Sequence, residues 1–157
     1  MSRTGGIELV KKIIEGKTEL LVPESSLQSN IPPRTPAFFN PKAGLNRDIS
    51  MAAYRIFSKN KASSMIMADS LAGVGARGIR VAVEVPDVKE VFINDGNPYA
   101  INLAEKSAQS NQVSEKCEFS NLDICQFLAS HSGPKKRFSI LDLDPFGSPA
   151  PYLDCAL

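Results

Sequence analysis

The chain is poor in the residues that build metal centres, disulfide scaffolds and membrane anchors. Its three cysteines, Cys117, Cys125 and Cys155, form no C-x-x-C pair. That argues against a zinc site or any other metal, and against a disulfide framework. It fits a reducing, intracellular compartment. No apolar run is long enough to span a bilayer and no secretory signal is recognisable, so no membrane partner is expected. There is no internal repeat and no low-complexity tract. With a formal net charge of +1 the chain as a whole is no polycation.

The 157 residues suffice for one domain with a real core. Charge is unevenly spread. Residues 1–66 hold 10 Lys/Arg against 5 Asp/Glu, a net of +5, and residues 67–157 hold 8 against 12, a net of −4. Two readings stay open: a basic first part that faces a polyanion, or scattered solvated charge.

The most informative stretch runs from Asp69 to Arg80, Asp-Ser-Leu-Ala-Gly-Val-Gly-Ala-Arg-Gly-Ile-Arg. A short apolar run (64–68) precedes it, and apolar and charged residues at helical spacing follow. This predicts a strand, a glycine turn and a helix start. Gly73, Gly75 and Gly78 spell G-x-G-x-x-G, the dinucleotide fingerprint. The same residues, with Asp69 six positions before Gly75, also spell a methyltransferase pattern. The cofactor alternatives are therefore NAD and S-adenosylmethionine (SAM), beside a tight turn that holds no ligand.

Residues 7–14 carry apolar positions at 7, 9, 10, 13 and 14, which predicts a short amphipathic helix ended by Gly16. Thr18–Val22 reads as a strand stopped by Pro23, and 24–37 as a loop. Phe38-Phe39-Asn40-Pro41 leads through a turn to Asn46-Arg47-Asp48, where Asn46 or Asp48 is expected to cap the next helix. Arg47 is a surface cation at an electrostatically poor place, or a residue that grips a carboxylate. The helix after the glycine turn should run from about Arg77 to Val85, and Val91–Asp95 is the next strand. Asp95, at its carboxyl end and 22 residues after Gly73, suits the two hydroxyls of a ribose in either cofactor. Asn97-Pro98 opens a further helix. A strand over 116–119 leads to Asp123, read as a helix cap with Gln126 at capping-box spacing, or as an acceptor for an adenine amino group.

Phe138–Leu143 is the fourth expected strand, and it delivers Asp144-Pro145-Phe146-Gly147-Ser148-Pro149. A rigid loop at a strand's carboxyl end is where open α/β sheets bind ligands. A phenyl ring can stack on a planar base. The Asp144 carboxylate or the Pro145 carbonyl can accept a hydrogen bond from an exocyclic amine and steer its lone pair toward an electrophilic methyl group. A dinucleotide enzyme has no need of such a loop, and the sole histidine, His131, sits at a helix end and offers no hydride site.

In this order, Phe38-Phe39-Asn40-Pro41, Asn46-Arg47-Asp48, the Gly73 turn with Arg77-Gly78-Ile79-Arg80, Asn94-Asp95 and Asp144–Pro149 resemble the tRNA guanine-N2 dimethyltransferases, which act on guanine 26 of tRNA. The resemblance extends from about Ile7 to Leu157. Phe39 stands where the family usually carries tyrosine, and Leu-Ala-Gly-Val-Gly is a variant of its glycine turn. What the resemblance implies is an α/β, Rossmann-like SAM-dependent methyltransferase fold, incomplete with its first four strands, behind a small helix-strand extension. Residues 1–62 would form that extension and residues 63–157 the partial SAM-binding domain. Gly73 and Gly75 would form the cofactor turn, and Arg47 and Arg77 would approach the methionine end. Asp95 would hold the ribose, and Asp123 with Ile124 the adenine. Asp144, with Pro145 and Phe146, would be the catalytic group and base wall, and a target in folded tRNA must leave its stack to reach them. The resemblance also implies a cytoplasmic protein in a prokaryote, or a nuclear or mitochondrial one in a eukaryote. Four strands would leave a sheet edge open. The readings from other classes are an NAD-binding oxidoreductase and a non-catalytic RNA-binding fragment.

Overall fold

The computed structural model describes residues 9–59, 65–133 and 137–157. The chain opens with an antiparallel hairpin, β1 (Val10–Glu15) and β2 (Thr18–Pro23), in register from Val10 opposite Pro23 to Glu15 opposite Thr18. The helix expected over 7–14 is therefore a strand from Val10 onward, and residues 7 and 8 lie outside the described residues. Six residues hold too little sequence to separate a period of 3.6 from one of 2. The buried strand beside it, with Leu20 and Val22 in the core, supplies the pairing that decides the matter. A short helix, α1 (Glu24–Gln28), occupies the start of the expected loop.

The next helix begins earlier than expected. Asn40 accepts the Lys42 N–H (3.0 Å) and starts a 3-10 turn, Pro41–Ala43, that runs directly into α2 (Gly44–Lys59). Asn46 and Asp48 are thus not caps. They lie inside α2, where their side chains reach other elements. The 62/63 boundary falls outside the described residues. On either side of it, Leu20, Val22, Phe39 and Met51 share one core with Met65, Met67, Ile79 and Ile93.

The main sheet is wholly parallel, in the order β5-β4-β3-β6, from β3 (Met65–Asp69), β4 (Val88–Asn94), β5 (Cys117–Ser120) and β6 (Ile140–Asp142). Between them lie α3 (Ala76–Glu84), α4 (Pro98–Ser110) and α5 (Ile124–Ser130), and α6 (Leu153–Ala156) follows β6. Alternate residues serve alternate faces. Met67, Val91 and Ile93 join the core that includes residues of α3 and α4, and Ala68 and Phe92 join Ile124, Phe127 and Leu128 of α5. The chain steps outward from β3 to β5, then returns to the other side of β3 for β6. That reversal opens a crevice at the carboxyl ends of β3, β4 and β6. Cys125 and Cys155 form one disulfide, against the expectation from spacing and a reducing compartment, while Cys117 stays free. The packing of α5 against α6 joins them across 30 residues of sequence, which spacing alone does not reveal.

A buried ionic network holds the hairpin and α2 to α3. Arg47 donates from Nε and Nη2 to the two Glu15 carboxylate oxygens, each at 2.6 Å. Arg80 contacts Glu15 (2.9 Å), Asp48 (2.7 Å) and Glu84 (2.9 Å). Thr18 Oγ1 donates to Glu84 Oε1 (3.0 Å), and Arg55 Nε to the Glu84 carbonyl (2.9 Å). Arg80→Met would leave Glu15 and Glu84 short of countercharge, at a cost of about 3–5 kcal/mol in unfolding free energy. Lys12→Ala, which breaks the exposed pair with Glu19, should cost far less. Urea unfolding followed by circular dichroism checks the contrast, and equal losses would remove the network's structural role.

Candidate functional site

The glycine turn lies where β3 gives way to α3. Gly73 has φ 54°, and a Cβ there would sit 2.8 Å from the Phe38 carbonyl oxygen, so the segment before α2 lies directly on the turn. Gly75 (φ 73°) precedes the first residue of α3, and a Cβ there would meet Ala104 at 2.7 Å. Of the two, Gly73 lines the cavity described below and Gly75 packs against α4.

Asp95, just past β4, fastens this turn to the next helix. Its carboxylate accepts the Gly73 N–H (2.7 Å) and the Asn97 N–H (2.8 Å). Asn97 in turn caps α4 by accepting the Tyr99 N–H (3.0 Å). The preceding Asn94 is fully buried. Its amide donates to the carbonyls of Ser70 and Leu122, and its oxygen accepts from the Ser120 hydroxyl and the Leu122 N–H. One carboxamide thus joins the loops after β3 and β5.

A cluster of carboxylates gathers around Arg77. Its guanidinium donates to Asp142 (2.7 Å), to Asp144 (3.1 Å) and to the Asn46 side-chain oxygen (3.0 Å), while its buried Nε has no partner among the described residues. The Tyr54 hydroxyl donates to the other Asp142 oxygen. Asp69 is buried and accepts the Gly78 N–H (2.9 Å). Burial first, then the charge of Asp142, pushes its carboxyl up to about 7, against the opposing Arg77 charge and the Gly78 N–H. Burial, then Asp142, also raises the Tyr54 phenol. Sequence reading passed over Tyr54 and Asp142. The available signal was a carboxylate inside the apolar run Ile140-Leu141-Asp142-Leu143.

A cavity of about 750 Å³ opens at the crevice. It gathers Arg47, Gly73, Arg77, Asp95, Asp144, Pro145 and Phe146 from the sequence-based site, together with Asp69, Arg34, Phe38 and Asn97. Asp144 has its side chain 68% exposed and Phe146 is 56% exposed, so the loop after β6 presents them at the opening. Phe38 meets the Phe146 ring edge-on (centroids 4.6 Å apart), and the Arg34 guanidinium lies 4.4 Å over that ring. Asp123 and Ile124 are not among the lining residues. Asp123 caps α5 by accepting the Cys125 N–H (2.9 Å), and Ile124 is buried in the core beneath the sheet. Arg47 lines the cavity while its charge is spent on Glu15.

A family model described as N2,N2-dimethylguanosine tRNA methyltransferase matches residues 16–157. The chain is 39% identical over 142 residues to the tRNA (guanine(26)-N(2))-dimethyltransferase of Methanothermobacter thermautotrophicus, covering 90% of this chain and 35% of that protein. It is 40% identical over 146 residues to the protein of the same name from Methanopyrus kandleri, covering 92% and 36%. The chain thus spans little more than a third of the length of these curated relatives. Among solved structures, a complex of Trm1 from Pyrococcus horikoshii with S-adenosyl-L-methionine matches with a TM-score of 0.76 at 29% identity, over 93% of this chain and 38% of that one. The M. jannaschii tRNA m1G37 methyltransferase (TM-score 0.69, 19% identity, 98% and 40% coverage) shares the fold. The architecture is the Rossmann-like methyltransferase fold that the motifs imply.

The Asp69 environment makes a signed prediction. Its folded pKa is raised above the usual 3.8, so its contribution to stability is complete below that value and is lost as pH rises through about 7. Asp69→Asn removes the titration. The variant's stability relative to the wild type should therefore grow between pH 5 and pH 8, by roughly 2 kcal/mol. Unfolding curves at the two pH values measure it, and a difference that stays constant between them would show that Asp69 is already ionised in the fold at pH 5.

Proposed function

Because the chain belongs to the N2,N2-dimethylguanosine tRNA methyltransferase family, we propose that its cavity holds S-adenosyl-L-methionine and takes the exocyclic N2 of guanine 26 of tRNA, methylated twice to N2,N2-dimethylguanine. The observation that carries this reading is the convergence of the glycine turn, Asp95 and the Asp144–Phe146 loop on one cavity at the sheet's switch point. Bound there, the cofactor supplies an electrophilic methyl group on a sulfonium cation.

The residues present fit that ligand. Asp69, Asp95 and Asp144 line the cavity, which favours a ligand carrying positive charge, and burial followed by the charge of Asp142 raises the Asp69 carboxyl. The buried Arg77 Nε lacks an acceptor, which a ligand carboxylate would provide. Asp95, on the cavity wall, is suited to the ribose hydroxyls. The exposed Asp144 carboxylate, or the Pro145 carbonyl, accepts an N–H of the guanine amine. Its lone pair is thereby turned toward the cofactor, and the base is held against Phe146. Arg77 donates to Asp144 (3.1 Å) and so orients that carboxylate at the opening.

Calorimetric titration of the chain with SAM should show binding, and titration with NADH should not. NADH binding in place of SAM would return the dinucleotide reading. Asp95→Ala should weaken SAM by about 10- to 100-fold, the worth of hydrogen bonds to a charged group. Asp144→Ala should spare SAM affinity yet abolish methyl transfer to a tRNA transcript carrying guanine 26. Unchanged SAM affinity in the first variant, or retained turnover in the second, would remove the respective role.

A further inference from the structure

Three arginines line the cavity, and two of them are already answered. Arg47 is bound bidentately by Glu15, and Arg77 by Asp142 and Asp144. Arg34 differs. It is exposed at the rim, lies over the Phe146 ring, and is in no ion pair among the described residues. Its segment is anchored on both sides. Asn97 Nδ2 donates to the Pro36 carbonyl (2.6 Å), and Lys42 Nζ donates to the Asn30 carbonyl (3.2 Å). Among the described residues the guanidinium therefore lies beside the exposed aromatic face without a counterion of its own.

We propose that Arg34 binds the phosphate of the nucleotide whose base enters the cavity. The inference rests on the base-pocket reading above and adds to it the substrate group recognised at the rim. A base reaching Phe146 as part of a polynucleotide brings a phosphate within a few ångströms of its sugar. A planar guanidinium fork with unused donors suits that group, and its other face already rests on the ring. The anion has a second possible source, the carboxylate of the amino-acid cofactor, and the test separates the two.

The chain is saturated with S-adenosylhomocysteine and titrated with guanosine, guanosine 5′-monophosphate and guanosine 3′-monophosphate, with NMR shifts as the readout. One of the monophosphates should bind the wild type roughly tenfold or more tighter than guanosine. Arg34→Ala should abolish that preference, and Arg34→Lys, a point charge without the fork, should keep part of it. SAM affinity should be the same in all three proteins. Arg34 is exposed, so its replacement leaves the core intact. A preference that survives in Arg34→Ala overturns the proposal. So does an equal loss for guanosine and monophosphate, which would make Arg34 only a support for Phe146. Weakened SAM binding with the monophosphate preference unchanged assigns Arg34 to the cofactor carboxylate and also overturns it. If guanosine binds the wild type as well as either monophosphate, the base pocket stands and the phosphate role falls. If no guanine compound binds, both fall.

Discussion

Buried charge that must be answered is the constraint on which this structure depends. Arg80 and Glu84 lie on the inner face of α3 with side chains 3% and 4% exposed, and neither can stay there unpaired. Their partners come from three other elements: Glu15 of β1, Thr18 of β2, and Asp48 and Arg55 of α2. The network thereby fixes where the hairpin and α2 sit on the parallel sheet. It also sets the height of the segment before α2, whose Phe38 carbonyl rests on the Gly73 turn. Burial alone would raise the Glu15 and Glu84 carboxyls. The hydrogen bonds and charge of Arg47 and Arg80 on Glu15, and of Arg80 with Thr18 on Glu84, outweigh it and hold both below the usual value. The stability these two contribute is present above about 4.5 and lost as pH falls, opposite in sign to the titration of Asp69. The scaffold's carboxylates are held low by arginines, whereas in the site three carboxylates share the one guanidinium of Arg77.

That difference follows from topology. At the switch point β3 has β4 on one side and β6 on the other, so the strand ends deliver Asp69, Asn94 and Asp142 to one place. Three carboxylates, Asp69, Asp142 and Asp144, then gather near one guanidinium, that of Arg77. Asn94 holds the loops after β3 and β5 together with neutral hydrogen bonds, which adds rigidity without adding charge. Asp95 ties the glycine turn to the start of α4. The crevice is held open by hydrogen bonds that link its rims rather than fill its centre.

The strand-turn-helix around Gly73 was legible because glycine and apolar spacing carry it locally. So was the Asn97-Pro98 helix start, where one side chain and one fixed φ suffice. β1 was misread because six residues, Val-Lys-Lys-Ile-Ile-Glu, do not define a period, and the partner that chose the strand lies in β2. The Asn46-Arg47-Asp48 segment stood out in sequence, but its function was legible only in three dimensions. Asn46 meets Arg77, Arg47 meets Glu15 and Asp48 meets Arg80, all across sequence gaps that no local rule spans. The basic surplus of the first part is not spent in the same way. Lys11, Lys12 and Arg47 pair with Glu24, Glu19 and Glu15, which its net charge already counts, and of the four paired cations only Arg55 is answered from the second part, by Glu84.

What remains after this pairing is polarised. Inside the cavity the unanswered groups are acidic. Burial, then the charge of Asp142, pushes Asp69 up, and among the described residues the Asp95 carboxylate accepts only from backbone N–H groups. At the rim the unanswered group is the Arg34 cation beside an exposed ring. A ligand of the interior is favoured if it carries positive charge, and a ligand of the rim if it carries negative charge and a flat apolar face. A sulfonium cofactor meets the first condition and a nucleotide within a polyanion meets the second. Exchanging the two would set carboxylate against phosphate in the interior and cation against cation at the rim, each a like-charge contact in a partly desolvated space. Under the proposed function, this arrangement of charge would order the two ligands from the sheet outward: the cationic methyl donor within, the polyanionic acceptor at the opening.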